Sequence, residues 1–85
     1  MASYKLLIKS SAAKELESLP PKDRRRTIAR IRDLSSNPRP VGREKLTGGE
    51  RYRIRQGNYR TLYVIDDSLE TVAIVKAAHR REVYR

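Results

Sequence analysis

The sequence predicts an α+β fold in which a helical hairpin packs on a mainly antiparallel four-stranded sheet, in the order β-α-α-β-β-β. Three observations carry this reading. Apolar residues recur at helical spacing in the first half of the chain. The period switches to two after residue 50, and turn-forming pairs separate the later segments. Eighty-five residues suffice for one domain, 1–85, with a single small core.

Tyr4–Ile8, YKLLI, is a short apolar run between lysines and reads as a buried strand. Ser10 and Ser11 are N-cap candidates for a first helix, whose core side is Ala12, Leu16 and Leu19. Pro20 disfavours helix at Leu19 and ends it. Pro21 suits the first position of a second helix, with Asp23 in its first turn. That helix is expected to reach about Ser36, where Asn37-Pro38 stops it. Ile28, Ile31 and Leu34 fall within an arc of roughly 120°, with Arg25, Arg26, Arg30 and Arg32 outside it. Arg24 points to the apolar side and is expected to clear the core at the helix end or lie along it by its stem.

Residues 37–50, NPRPVGREKLTGGE, are rich in turn formers and read as a loop. RYRIRQ then alternates Arg51, Arg53 and Arg55 against Tyr52 and Ile54. Gly57-Asn58 reads as a hairpin turn into a strand over Tyr59–Ile65, where Arg60, Leu62 and Val64 share a face. Asp66-Asp67-Ser68 turns the chain into a last strand, Thr71–Ala77, followed by a polar terminal segment. The first strand must join this sheet, beside a neighbour that the pattern does not specify.

Charge sets the function class. Twenty Lys and Arg stand against ten Asp and Glu, a net charge of +10. Residues 1–42 carry +6 and residues 43–85 carry +4, so the folded body itself is cationic. A surface selected for solubility alone mixes signs; this balance points to a polyanionic partner, nucleic acid or an acidic protein segment. Fourteen of the twenty are Arg, which favours forked phosphate contacts. With no Cys and one His, neither a disulfide scaffold nor a transition-metal centre is expected, and no cofactor is implied. Apolar runs of about three residues cannot span a membrane, and the N-terminus lacks a signal-like apolar region, so the expected location is cytoplasmic.

Two clusters carry chemistry. Arg51, Arg53 and Arg55 form a row with a spacing of about 6.5–7 Å, the scale of a phosphate repeat, and no acid intervenes up to Arg60. A solvated strand face is the plain alternative, and the single sign of the row argues against it. Arg60 shares its face with Leu62 and Val64, so its guanidinium starts beside a packed layer with no acidic partner in view. The second cluster is His79, Arg80, Arg81 and Tyr84. Asp66-Asp67 reads as a turn rather than a metal pair, and a lone His leaves no Ser-His-Asp set. Arg and Tyr suit one reaction, cleavage of RNA by its own 2′-hydroxyl. Cations stabilise the charged transition state there, and a tyrosine exchanges protons. Only about 0.1% of an ordinary tyrosine is ionised at pH 7, a share that nearby guanidiniums raise.

KLTGGERYRIRQGNYRTLYVID and the ending AAHRREVYR, with the order of elements, resemble the RelE/ParE superfamily of bacterial toxins over nearly the whole chain. Tyr52-Arg53-Ile54-Arg55, Tyr59-Arg60 and His79 to Tyr84 are the most specific parts. The resemblance, closest to the RelE branch, implies a ribosome-dependent mRNA endonuclease that cuts in the ribosomal A site and arrests translation. It also implies a RelB-like antitoxin that wraps the toxin. By the same resemblance Arg60 and Arg80 stabilise the scissile phosphate and Tyr84 is the acid/base or orients the RNA. Lys45, Arg51, Arg53, Arg55, His79 and Arg81 are expected to contact RNA. Many relatives carry Lys where this chain has Arg53 and Arg55. Arginine does not give up its proton at neutral pH, so if such a Lys shares the proton transfer in relatives, this chain must use Tyr84, His79 or Lys45 instead. The alternatives are a ParE-like inhibitor of DNA gyrase without RNase activity, and a non-catalytic RNA- or ribosome-binding module.

Overall fold

A computed structural model describes residues 3–83. The elements in chain order are β1 (Lys5–Ile8), α1 (Ser10–Glu17), α2 (Pro21–Asp33), β2 (Glu44–Lys45), β3 (Arg51–Gln56), β4 (Tyr59–Asp66) and β5 (Thr71–His79). The sheet has five strands in the order β1-β5-β4-β3-β2, not four. It is mixed: β1 runs parallel to β5, and the other pairings are antiparallel. The fifth strand is β2, two residues long, inside the segment expected to be wholly loop.

The helices cover one face. Ala12, Leu16 and Leu19 from α1 and the turn after it meet Ile31 and Leu34 from α2 and its end. Beneath them lie Tyr52 and Ile54 of β3, Tyr63 and Ile65 of β4, and Val72, Ile74 and Ala77 of β5. Tyr52 and Tyr63, directly paired across β3 and β4, stack at 5.8 Å.

Two helix ends differ from expectation for local reasons. Neither Ser10 nor Ser11 caps α1. Lys9 takes the N-cap position without a side-chain bond, because its own N–H is still tied to the Ile74 carbonyl at 3.0 Å. Strand pairing thus ends one residue before helix begins. The second helix closes at Asp33, and 34–36 continue as tight turns. Ser35 is drawn away to Tyr4, the residue before β1: its carbonyl accepts from Tyr4 N–H at 2.8 Å and its hydroxyl donates to the Tyr4 carbonyl at 2.9 Å. Arg24 clears the core as expected, donating to the Glu17 carbonyl at the end of α1.

The YKLLI run is not buried. It forms an edge strand, with Leu7 43% and Ile8 47% exposed, because the helices lie over the central strands and leave the edge open. The β3–β4 turn has its positive φ at Gly57, +59°, as a two-residue II′ hairpin loop requires. The β4–β5 turn is held by Asp66, whose Oδ1 accepts from Ser68 Oγ and Leu69 N–H.

One irregularity matters for the site. Leu62 pairs with Lys76, but the next residue, Tyr63, pairs with Ile74, so Val75 is an extra residue in β5. Before this bulge the even-numbered Val72 and Ile74 face the helices. After it the odd-numbered Ala77 does, paired with Thr61.

Candidate nucleic-acid interface

The face opposite the helices carries the arginines. Arg51, Arg53 and Arg55 alternate out of β3, opposite Val64, Leu62 and Arg60 of β4. Arg60 in turn lies opposite Ala78 of β5, and Arg80 N–H donates to the Asn58 carbonyl at 2.7 Å. Arg55, Arg60 and Arg80 therefore gather at the end of the sheet that holds the Gly57-Asn58 turn. Partial burial, then the charges of Arg55, Arg53 and Arg80, hold the Arg60 guanidinium below its ordinary pKa. Arg60 Nη1 donates to the Gly57 and Tyr59 carbonyls, each at 3.1 Å, so the side chain is anchored on its own turn.

The row is not purely cationic. β2 lies beside β3 with Glu44 across from Arg53, and their side chains form an ion pair. Sequence order hid this contact, because Glu44 is nine residues from Arg53 and sits on a strand too short to announce itself. Lys45 is across from Tyr52, one position out of phase with Arg53, and its Nζ is 3.6 Å from Glu50 Oε1. Register therefore does not bring it into the row.

His79 also faces away. It pairs with Tyr59 in β4 and meets the Tyr59 ring edge-on at 5.6 Å, on the helix side of the sheet. It lines a cleft of about 330 Å³ with Glu15, Leu19, Tyr59 and Glu82. Its Nδ1 accepts from Arg81 N–H, which leaves Nε2 to carry the ring proton. Arg81 is exposed in the turn after β5. Glu82 and Val83 N–H both bond back to the His79 carbonyl, and Val83 is buried, so the tail folds back as a turn. Tyr84 lies outside the described residues. Among the described residues no group of acidic and His side chains could hold a metal ion, and no helix is long and apolar enough to cross a membrane.

A second polar cluster was not anticipated. Arg39 donates to both Asp67 oxygens at 2.8 and 3.2 Å, to Glu50 Oε2 at 3.1 Å and to the Tyr52 hydroxyl at 3.2 Å. Tyr52 and Tyr4 hydroxyls donate to Glu50 and Asp67, each at 2.6 Å. The Tyr52 hydroxyl and then Arg39 hold the Glu50 carboxyl below its usual range, and Arg39 and then the Tyr4 hydroxyl do the same for Asp67. The cluster fastens the 37–50 segment to the β4–β5 turn, at the end of the sheet away from Arg60. An Arg between two prolines carries no sequence signal for this role.

A profile of the ParE toxin of the type II toxin–antitoxin system parDE matches residues 6–84. The chain belongs to the RelE/ParE superfamily of type II toxins. Toxin RelG of Mycobacterium tuberculosis is 37% identical to this toxin over 90 aligned positions, covering 96% of this chain and 97% of RelG. A chain of the toxin–antitoxin complex RelBE2 of the same organism superimposes with a TM-score of 0.76 at 30% identity, over 92% of this toxin and 99% of that chain. A chain of the RelE–RelB complex of Pyrococcus horikoshii gives 0.80 at 28% identity, over 94% and 98%. The α+β fold of this toxin is thus RelE-like, with two helices on a five-stranded mixed sheet.

Proposed function

We propose that this toxin is a ribosome-dependent mRNA endonuclease, metal-independent and cytoplasmic, that cuts in the A site and so stops translation. The observation that carries the reading is the gathering of Arg55, Arg60 and Arg80 at one end of the open face. Several cations held there, one of them partly desolvated, suit a site for a phosphate that gains negative charge. The 2′-oxygen bonds to phosphorus and the bond to the 5′-oxygen breaks. One proton leaves the 2′-hydroxyl and one reaches the 5′-oxygen, leaving a 2′,3′-cyclic phosphate and a 5′-hydroxyl. The nucleophile belongs to the RNA, so the protein needs only charge and a proton carrier. Tyr84, four residues beyond Arg80, fills the second role. Arg51, Arg53 and Arg55 follow the RNA backbone, with Arg81 at the margin. His79 and Lys45 are turned from this face and act, at most, on flanking RNA or ribosomal RNA. A RelB-like antitoxin, the kind of partner named with the M. tuberculosis and P. horikoshii relatives, neutralises the toxin by docking on the helical hairpin and partly covering the arginines.

Primer extension on mRNA in a cell-free translation reaction tests this. A cut inside the A-site codon, absent without ribosomes, is the expected result. It should vanish when the cut position carries a 2′-deoxy residue. Arg60→Ala and Arg80→Ala should each lower cutting about 10²–10³-fold, and Tyr84→Phe about 10²–10⁴-fold. The ParE profile match gives a second reading, gyrase inhibition without RNA chemistry. A supercoiling assay decides it: loss of gyrase activity with mRNA left intact refutes the nuclease.

A further inference from the structure

The open face is not charged throughout. Along β4, Arg60 is followed at two-residue intervals by Leu62 and Val64, each half-buried on a face that no helix covers. The bulge turns Val75, the unpaired residue, to the same side, where it lines the same hollow as Leu62. Leu46, just past β2, closes the far wall, and Arg51 stands at the rim. The result is a hollow of about 140 Å³, too small for a drug-sized ligand and on the scale of one planar ring system.

We propose that this hollow, bounded by Leu46, Arg51, Leu62, Val64 and Val75, is a nucleobase socket for the strand whose phosphates follow the arginine row. The inference rests on the RNA reading above and deepens it. Three features select the occupant. The walls are aliphatic, which suits the faces of a base and not a charged group. Tyr63 also lines the hollow but its hydroxyl is committed to the Pro38 carbonyl, so Arg51 supplies the polar fork, which can donate to the O6 and N7 edge of guanine. The hollow is also continuous with the row. Arg60 to Val64 is about 13 Å along β4, so a base one or two nucleotides from the phosphate at Arg60 falls over it. A polyanion is drawn to this face by a body of net charge +10, and the socket then holds one base of it. Guanine is the favoured occupant.

The test uses the full chain and a six-nucleotide 2′-O-methyl single strand, which cannot be cut. Each base is removed in turn to leave an abasic residue, and affinity is read by fluorescence anisotropy at several salt concentrations. Removal at one position should weaken binding roughly 5- to 10-fold. The slope of log K against log salt should not change, because every phosphate remains. Val75→Phe, which fills the hollow, should cause the same loss on the intact strand and make base removal at that position harmless. If that variant fails to fold, the abasic scan on the wild-type chain stands alone. A flat scan overturns the socket while leaving the RNA reading intact. Absence of any binding overturns the socket, and the primer-extension assay with ribosomes then decides the RNA reading by itself. A flat scan in which Val75→Phe instead breaks the antitoxin complex assigns the hollow to an apolar antitoxin side chain.

Discussion

Arg55 and Arg60 stand directly opposite one another across the β3–β4 hairpin, two like charges where a sheet would ordinarily place a compatible pair. Facing like charges oppose pairing, and burial of Arg60 adds to the cost. The arrangement is tolerated because the Arg60 guanidinium is held on the turn carbonyls of Gly57 and Tyr59.

Arg55→Gln is therefore expected to stabilise the toxin while weakening its function. Relief of a cross-strand repulsion of about 0.2–0.5 kcal/mol corresponds to a rise in Tm of roughly 1–4 °C for a domain of this size. The gain should shrink at high salt, where the repulsion is screened. Thermal melts at low and high salt check both parts.

The arginine row should report itself through ionic strength. Three to four phosphate contacts to a single strand give a slope of log K against log salt of about −2 to −3. Gln at both 51 and 55 should flatten it by about 1.4. Glu44→Gln should act in the opposite direction and tighten binding a few-fold, because it removes a carboxylate that now sits against Arg53 beside the phosphate path. Anisotropy titrations across a salt series measure all three.

Two buried hydroxyls should respond with opposite signs. The Tyr63 hydroxyl donates to the Pro38 carbonyl at 2.7 Å, and burial pushes its pKa up to about 12. Tyr63→Phe leaves that carbonyl unpaired and should cost about 1–3 kcal/mol. Thr27 is equally buried, yet among the described residues its Oγ1 meets no partner. Thr27→Val removes an unsatisfied group and should stabilise by about 1 kcal/mol. Denaturant midpoints of the two variants should move apart.

Acid should loosen the Arg39 cluster. Glu50 and Asp67 have folded pKa values below their unfolded ones, so the stability they contribute is complete above the unfolded values, about 4.3 and 3.9. It is lost as pH falls through the folded values. Tm should therefore be insensitive to these groups above about pH 5 and fall below about pH 4. In Arg39→Ala that acid dependence should be shallower, because Asp67 loses the main group that depresses it and Glu50, still bonded to Tyr52, loses its second. A Tm series from pH 7 to pH 2 on the two proteins makes the comparison.

Much of this toxin is set by local pattern. Helical spacing of Ala12, Leu16, Ile31 and Leu34, the Pro20-Pro21 break, the alternation of RYRIRQ and the Gly57-Asn58 turn act within a few residues, so the sequence alone determines two helices, a β3–β4–β5 meander and a row of arginines on one side of β3. What it could not determine is how distant segments meet. Lys5–Ile8 had apolar character enough for a buried strand, but only assembly put it at an edge. Glu44 reaches Arg53 through a two-residue strand that no periodicity marks. Antiparallel adjacency places Arg80 beside Arg60 along the chain, whereas the face it occupies depends on Val75. Unbroken alternation from Val72 and Ile74 would turn Ala78 and Arg80 toward the helices. The bulge at Val75 inserts one residue, reverses the phase of β5, and brings Ala78 opposite Arg60 with Arg80 alongside. A bulge is decided by how β5 fits against Leu62 and Tyr63 of its neighbour, a contact between strands, and so the tertiary structure alone assembles the arginine cluster.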